Sequence, residues 1–229
     1  MKHIFVTGAN GNLGKAIATK FLDEGHRVTA LISPRHPTGF MKHERLRIFQ
    51  ADLGREKEAA QVISQALEGE NILDMGVLTV GGFGMGRLPD TPSEAVEKMV
   101  MLNFLTAYHT VRPLFKHLAA QNRGGQIILI GARPVFDPGA AAQMVAYSLS
   151  KTLVVKLAEI INEEGKDKGI TASVVVPGII DTPQNREAMP EADVSDWVTP
   201  EEIAGNILHL LTPAGKQLRK VVLKVYGNA

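Results

Sequence analysis

Two side chains with acid–base capacity lie four residues apart in Tyr147-Ser148-Leu149-Ser150-Lys151. On a helix, residues i and i+4 share a face, so a phenol and an ammonium placed this way can converge. A neighbouring cation favours the tyrosinate and lowers the phenol pKa, which would make Tyr147 a usable proton donor near neutral pH. Lys151 could also hold a ribose. Upstream, the first apolar run leads into Thr7-Gly8-Ala9-Asn10-Gly11-Asn12-Leu13-Gly14. A strand that enters closely spaced glycines and then a helix is a cradle for a dinucleotide. Its glycines allow the tight turn, the approach of backbone amides to a pyrophosphate and close helix–strand packing, and the helix N-terminus favours the phosphates. The spacing here, Gly8-x-x-Gly11-x-x-Gly14, differs from the commoner G-x-G-x-x-G.

These residues need a scaffold, and the chain alternates strand-like and helix-like segments. Apolar runs at 3–7, 27–32, 46–50, 76–80, 126–131, 170–176 and 220–225 are mostly continuous rather than alternating, as in a parallel sheet covered on both faces. Helical patterns fill 12–24, 56–67, 93–120, 141–164 and 200–211, with a kink expected at Pro113. Thr199 and Glu202 spell a capping box for the last of them. The pattern predicts an α/β fold: a Rossmann-type, doubly wound, seven-stranded parallel sheet of order 3-2-1-4-5-6-7 with helices on both faces. Residues 1–229 read as one nucleotide-binding domain, in which 182–199 lacks periodicity and follows a strand end, where ligands bind in such sheets.

Composition narrows the function. The chain has 229 residues, 45% apolar and 21% charged, with a net charge of +1. These are globular values, with no basic field for nucleic acid and no charge run for a membrane surface. With no cysteine there is no thiolate metal site or thiol catalysis, and the default is a cytoplasmic protein. The seven histidines show no metal-ligand spacing within a helix, so no metal is expected.

With both motifs in place, the chain resembles the short-chain dehydrogenase/reductase family over essentially its full length. The resemblance assigns further positions. Asp52-Leu53 matches the adenine-contacting position, and Gly81-Gly82 stands where the family usually has Asn-Ala-Gly. Asn103 matches the structural and proton-relay asparagine. Pro177-Gly178, Ile180 and Thr182 match the segment that seats the nicotinamide. Ordinary alternatives exist: Asp52 as a helix cap, Asn103 at a capped bend, Pro177-Gly178 as a turn. A homodimer or homotetramer built on the helices 93–120 and 141–164 is a family expectation.

The family's strand-5 serine is missing, since no serine or threonine occurs between Gly124 and Ala146, and Ala132 lies just past the strand end. The dihydropteridine reductase branch also lacks it and carries Gly-Gly-aromatic after strand 4, here Gly81-Gly82-Phe83. The run Asp181-Thr182-Pro183-Gln184-Asn185-Arg186 is similar to that branch too. The resemblance implies hydride reduction of a quinonoid dihydropteridine or similar conjugated ring, with Phe83, Ala132, Met189 and Trp197 shaping the pocket. Simple core packing is the alternative for Phe83, Met189 and Trp197. A carbonyl reductase using a backbone N–H at Ala132 or Arg133 is the second enzymatic reading, and a non-catalytic NADP(H) sensor is a third of another class. For the cofactor, no carboxylate occurs between Gly25 and His43, whereas Ser33 and Arg35 follow strand 2. This predicts NADP(H) in preference to NAD(H), because a 2′-phosphate pairs with a guanidinium and is repelled by a carboxylate.

Overall fold

The computed structural model of the chain describes residues 1–34, 41–70 and 72–227. Its strands are β1 His3–Thr7, β2 Arg27–Ile32, β3 Leu46–Gln50, β4 Met75–Leu78, β5 Gly125–Ile130, β6 Ile170–Pro177 and β7 Val222–Val225. All pair in parallel, in the order β3-β2-β1-β4-β5-β6-β7. The order reverses between β1 and β4, which opens a crevice at their C-terminal ends.

The central strands are buried on both faces, which explains why apolar residues run along them without a polar–apolar alternation. Alternate residues feed two cores. Phe5, Ile127 and Leu129 pack on one face with the helices α2 (Glu56–Leu67), α4 (Thr106–Ala120) and α6 (Val145–Gly165). Ile4, Val6, Ile128 and Ile130 pack on the other with α1 (Asn12–Asp23) and α8 (Pro200–Leu210). The capping box on α8 is formed, with the Thr199 hydroxyl accepting from the Glu202 amide and the Glu202 carboxylate accepting from the Thr199 amide.

Two helical expectations are corrected. The segment 93–120 is not one helix kinked at Pro113. It consists of α3 (Ser93–Met99), a π-helical stretch Val100–Leu105 and then α4, within which Pro113 sits without a break. Hydroxyls share the backbone accounting there: Thr106 donates to Leu102 O at 2.7 Å and Thr110 to Thr106 O at 2.8 Å. Likewise the helix expected over 141–164 begins only at Val145, as α6. Ala141 ends a separate short helix, α5 (Pro138–Ala141), and Met144, with a non-helical φ of −147° and ψ of 59°, stands before α6. Met144 bridges to Gly86: the Gly86 amide donates to Gln143 O and the Val145 amide donates to Gly86 O, both at 2.9 Å. This straps the β4–α3 loop to the start of α6. The β4 end retreats from Val80 to Leu78, and β7 starts at Val222 because Lys220 adopts a left-handed φ of 54°.

Candidate active site

The glycine turn is built by contact. Gly8 has a φ of +62°, and a Cβ there would lie 2.8 Å from Thr79 Oγ1. A Cβ on Gly14 would lie 2.3 Å from Gly8 O, so α1 packs directly on the turn that precedes it. The Gly11 amide donates to Gly8 O at 2.9 Å, and Gly11 caps α1 without a side-chain bond, leaving its first amides available. Leu13 packs into the α1–α8 core. Asn10 Oδ1 accepts from the Ser33 amide at 3.4 Å, tying the turn to the end of β2, and Asn12 Nδ2 donates to Gln184 Oε1 at 2.6 Å.

A cavity of about 340 Å³ opens beside this turn, lined among others by Gly8, Ser33, Asp52, Leu53 and Val80. Asp52 Oδ1 accepts from the Gly54 amide at 3.0 Å, and the Asp52 amide donates to Glu58 Oε1 at 2.8 Å. Lys98 and Met101 line the same cavity. Sequence spacing had no signal for them, since the end of α3 brings Lys98 there and the π-helical stretch brings Met101. Arg35 lies outside the described residues.

The second cluster forms around Gly81-Gly82. Asn103, 1% exposed on the π-helical stretch, accepts from the Gly82 amide at 2.8 Å and donates to Gly82 O at 3.1 Å and to Ser150 Oγ at 3.0 Å. Ser150 in turn donates to Tyr147 O at 2.7 Å. Lys151 Nζ donates to Ile130 O at 2.9 Å. A Cβ on Gly81 would stand 2.6 Å from Asn103 Oδ1 and 3.2 Å from Lys151 Nζ, so both polar heads converge on this glycine. π-Helical turns recur at functional positions, and here the extra residue aims Asn103 at the loop. Ser150 was not singled out from sequence. Its signal was present, because i and i+3 from Tyr147 fall on one helix face.

The Tyr147 ring meets Phe83 edge to face, with centroids 5.1 Å apart and planes at 72°. Phe83 is 61% exposed, so most of its surface is open to a ligand. The expected lowering of the Tyr147 pKa by Lys151 is corrected. Burial pushes the phenol up to about 12, and burial pushes the Lys151 ammonium down to about 8. Desolvation disfavours both charged forms, and the Lys151 ammonium is directed to the Ile130 carbonyl. At neutral pH this leaves a protonated phenol and a buried, charged ammonium on the same face of α6.

Beyond β5, Ala132 is buried and no hydroxyl replaces the absent serine between 124 and 146. Pro177 ends β6, and the Gly178 amide donates to Val225 O at 2.8 Å. Ile180 bridges to Val198. Thr182 Oγ1 accepts from the Asn185 amide at 3.2 Å, capping the short helix α7 (Pro183–Ala188), and Met189 ends it. Trp197 does not offer an open ring face as Phe83 does. It is 8% exposed next to the Ile180–Val198 bridge and makes no ring contact with Phe83 or Tyr147 among the described residues. Burial of its indole in the protein is the reason. Among the described residues there is also no group of three acidic or histidine side chains that could hold a metal, and no helix is long and apolar enough to cross a membrane.

A parallel sheet with a glycine cradle at its switch point and a Tyr/Lys/Asn cluster beside it defines a nucleotide-dependent oxidoreductase. Residues 2–193 match the short chain dehydrogenase family. The chain belongs to that family, whose members use NAD(P)H. Among similar proteins, 2-(R)-hydroxypropyl-CoM dehydrogenase of Xanthobacter autotrophicus is 27% identical over 84% of this chain and 80% of its own. A dihydropteridine reductase of Dictyostelium discoideum is 25% identical over 92% of this chain and 88% of its own. In fold, the chain superposes on a blue fluorescent protein from a metagenomic library, solved in complex with NADPH, with a TM-score of 0.84 at 24% identity, covering 99% of this chain and 96% of that one. The residues present fit a dinucleotide: Gly8 and Gly14 let the turn close tightly on α1, the first amides of α1 carry no side-chain cap, and a cavity lined by Gly8 continues to Asp52.

Proposed function

We propose that the chain is an NAD(P)H-dependent reductase of a quinonoid dihydropteridine or similar conjugated ring, working as one domain over residues 1–229 with 182–199 as its substrate loop. Gly8, Asn10, Gly11, Asn12, Leu13 and Gly14 would hold the pyrophosphate end of the cofactor, and Ser33, Asp52 and Leu53 its adenosine end. Gly81, Gly82, Pro177, Gly178, Ile180 and Thr182 would border its nicotinamide end. When bound, the cofactor supplies the hydride. Tyr147 donates the proton from its phenol. Lys151 holds positive charge beside that proton and reaches the ribose, while Asn103 fixes the Gly81-Gly82 turn and a relay water. NADP(H) is the preferred cofactor in this reading, on the strength of Ser33 and Arg35 and the absence of a carboxylate after β2. The family habit supports a dimer or tetramer, and the cysteine-free composition supports a cytoplasmic protein.

One observation carries the substrate reading: the exposed Phe83 ring stands edge to face with Tyr147, in a chain whose strand-5 end, at buried Ala132, offers no hydroxyl. A ketone needs its carbonyl polarised. A quinonoid ring accepts hydride more readily, because its product regains conjugation, and it can lie against an aromatic face. The second reading, a carbonyl reductase, rests on the backbone amides at Ala132 and Arg133 replacing that hydroxyl. NADPH oxidation is therefore to be measured against quinonoid pterins, quinones and simple ketones, with the wild type and Ala132→Ser. Turnover of the rings, with no useful gain from the serine, is expected. Good activity on ketones alone, improved by the serine, would replace the ring reading with the carbonyl one.

A further inference from the structure

The β5–α6 connection and the end of β7 interleave two cations with two aromatic rings. The Arg133 guanidinium lies 5.1 Å from the Tyr226 ring centroid, and Lys224 Nζ lies 5.4 Å from that of Phe136. The Phe136 amide donates to Arg133 O at 2.9 Å, closing the turn that carries both. Neither cation has a carboxylate partner among the described residues, whereas Arg27, Arg47, Arg112, Arg123 and Arg186 all do. Asp137, next along the turn, spends its side chain on the Ala140 amide.

The pair sits beside the proposed reaction centre. Arg133 directly follows Ala132, and Ile130, two residues before Ala132, accepts the Lys151 bond. Tyr226, the bed for Arg133, has its carbonyl 3.1 Å from where a Gly178 Cβ would stand. Alternation along β7 sets the side. Leu223 and Val225 pack with the α1–α8 core, and Tyr226 packs with the core under α6, so Lys224 and Tyr226 face the side of the sheet that bears Tyr147. A cation resting on a ring loses little further freedom on binding and keeps its outward N–H groups available.

We infer that Arg133 and Lys224 form a subsite for an anionic group, so that the natural substrate is a planar acceptor carrying a carboxylate or a phosphate. This rests on the ring-reductase reading above and specifies its substrate further. The anion would sit at the mouth, on the cationic pair, while the apolar ring reaches Phe83 and Tyr147.

The test uses binding rather than turnover. NADPH-loaded protein is titrated by calorimetry with 2-naphthoate, 2-naphthyl phosphate and the neutral 2-naphthamide. At least one anion should bind about tenfold more tightly than the amide, the size expected for a charge-assisted contact, and the tighter of the two identifies the anionic group. In the Arg133→Met/Lys224→Met variant, which keeps the apolar stems on the rings, that preference should vanish while amide affinity stays. Raised salt should also shrink it. Equal binding of all three probes, no binding of any, or a preference that survives the double variant overturns the subsite. Turnover of a neutral quinonoid pterin by the wild type is followed in parallel. Its absence alone sinks the ring reading, and its presence without any charge preference sinks the anionic subsite alone.

Discussion

Replacing Gly81 with alanine probes the catalytic corner by volume alone. The Gly81 φ is not in the left-handed region, so alanine meets no backbone strain there. The new methyl would stand 2.6 Å from Asn103 Oδ1, where ordinary contact begins at 3.4 Å, a deficit of 0.8 Å (3.4 − 2.6). If Asn103 yields directly, its 2.8 Å bond from the Gly82 amide stretches to about 3.6 Å and is lost. Lys151 Nζ, 3.2 Å from the methyl, must give by a few tenths of an ångström. Overpacking of this size costs about 1–3 kcal/mol in stability, and a displacement near 1 Å in a reacting constellation costs about a hundredfold in rate. Steady-state NADPH oxidation and thermal unfolding measure the two separately. Gly205→Ala is the control: that glycine lies in α8 with nothing within 4 Å of its would-be Cβ, so alanine should add about 1 kcal/mol of stability and leave turnover alone. In an Asn103→Ala background the clash partner is gone, and Gly81→Ala should then cost little more. Unchanged turnover in the single variant, or an equal penalty in both backgrounds, would refute this account of the corner.

Lys151, with its pKa pushed down to about 8, predicts that turnover falls as pH rises through 8 and that Lys151→Met lacks this limb. Because the folded value lies below the unfolded 10.5, the unfolded chain binds more protons from pH 8 to 10, so this group's contribution to stability rises while activity falls; parallel movement of the two would contradict the assignment. His3, 3% exposed between Ile72 O and Thr29 Oγ1, has its pKa lowered chiefly by burial, with Arg27 adding to it and Ile72 O, Glu70 and Asp74 opposing it. A lowered folded value means stability is lost as pH drops below 6.5, so melting points at pH 7.5 and 5.5 should differ more for the wild type than for His3→Gln. Titration of the protein with NADPH and NADH should show tighter NADPH binding, reduced in Arg35→Ala, and tighter NADH binding would reverse the cofactor preference.

The sheet was readable because β1, β5 and β6 are short runs rich in Ile, Val and Leu without alternation, as strands buried on both faces require. The cradle was readable because its glycines answer to local contacts, Gly14 against Gly8 above all. The π-helical stretch was not. Val100-Met101-Leu102-Asn103-Phe104-Leu105 suits any helical period, and its widening accompanies bonds from Asn103 to residues 21 and 47 positions away. The pKa reversal was hidden for a similar reason: spacing placed Tyr147 and Lys151 on one helix, but burial and the Ile130 carbonyl decide their protonation. The burial of Trp197 was not legible, because an indole has the same sequence signature in a cleft and in a core.

The central claim is that Tyr147 delivers the proton in a hydride reduction. Single-turnover oxidation of bound NADPH by the best acceptor, in the wild type and in Tyr147→Phe, tests it most directly. The phenylalanine keeps the ring that packs on Phe83, so NADPH affinity should hold while the rate falls by about two to four powers of ten. An undiminished rate in Tyr147→Phe would remove this residue from the chemistry.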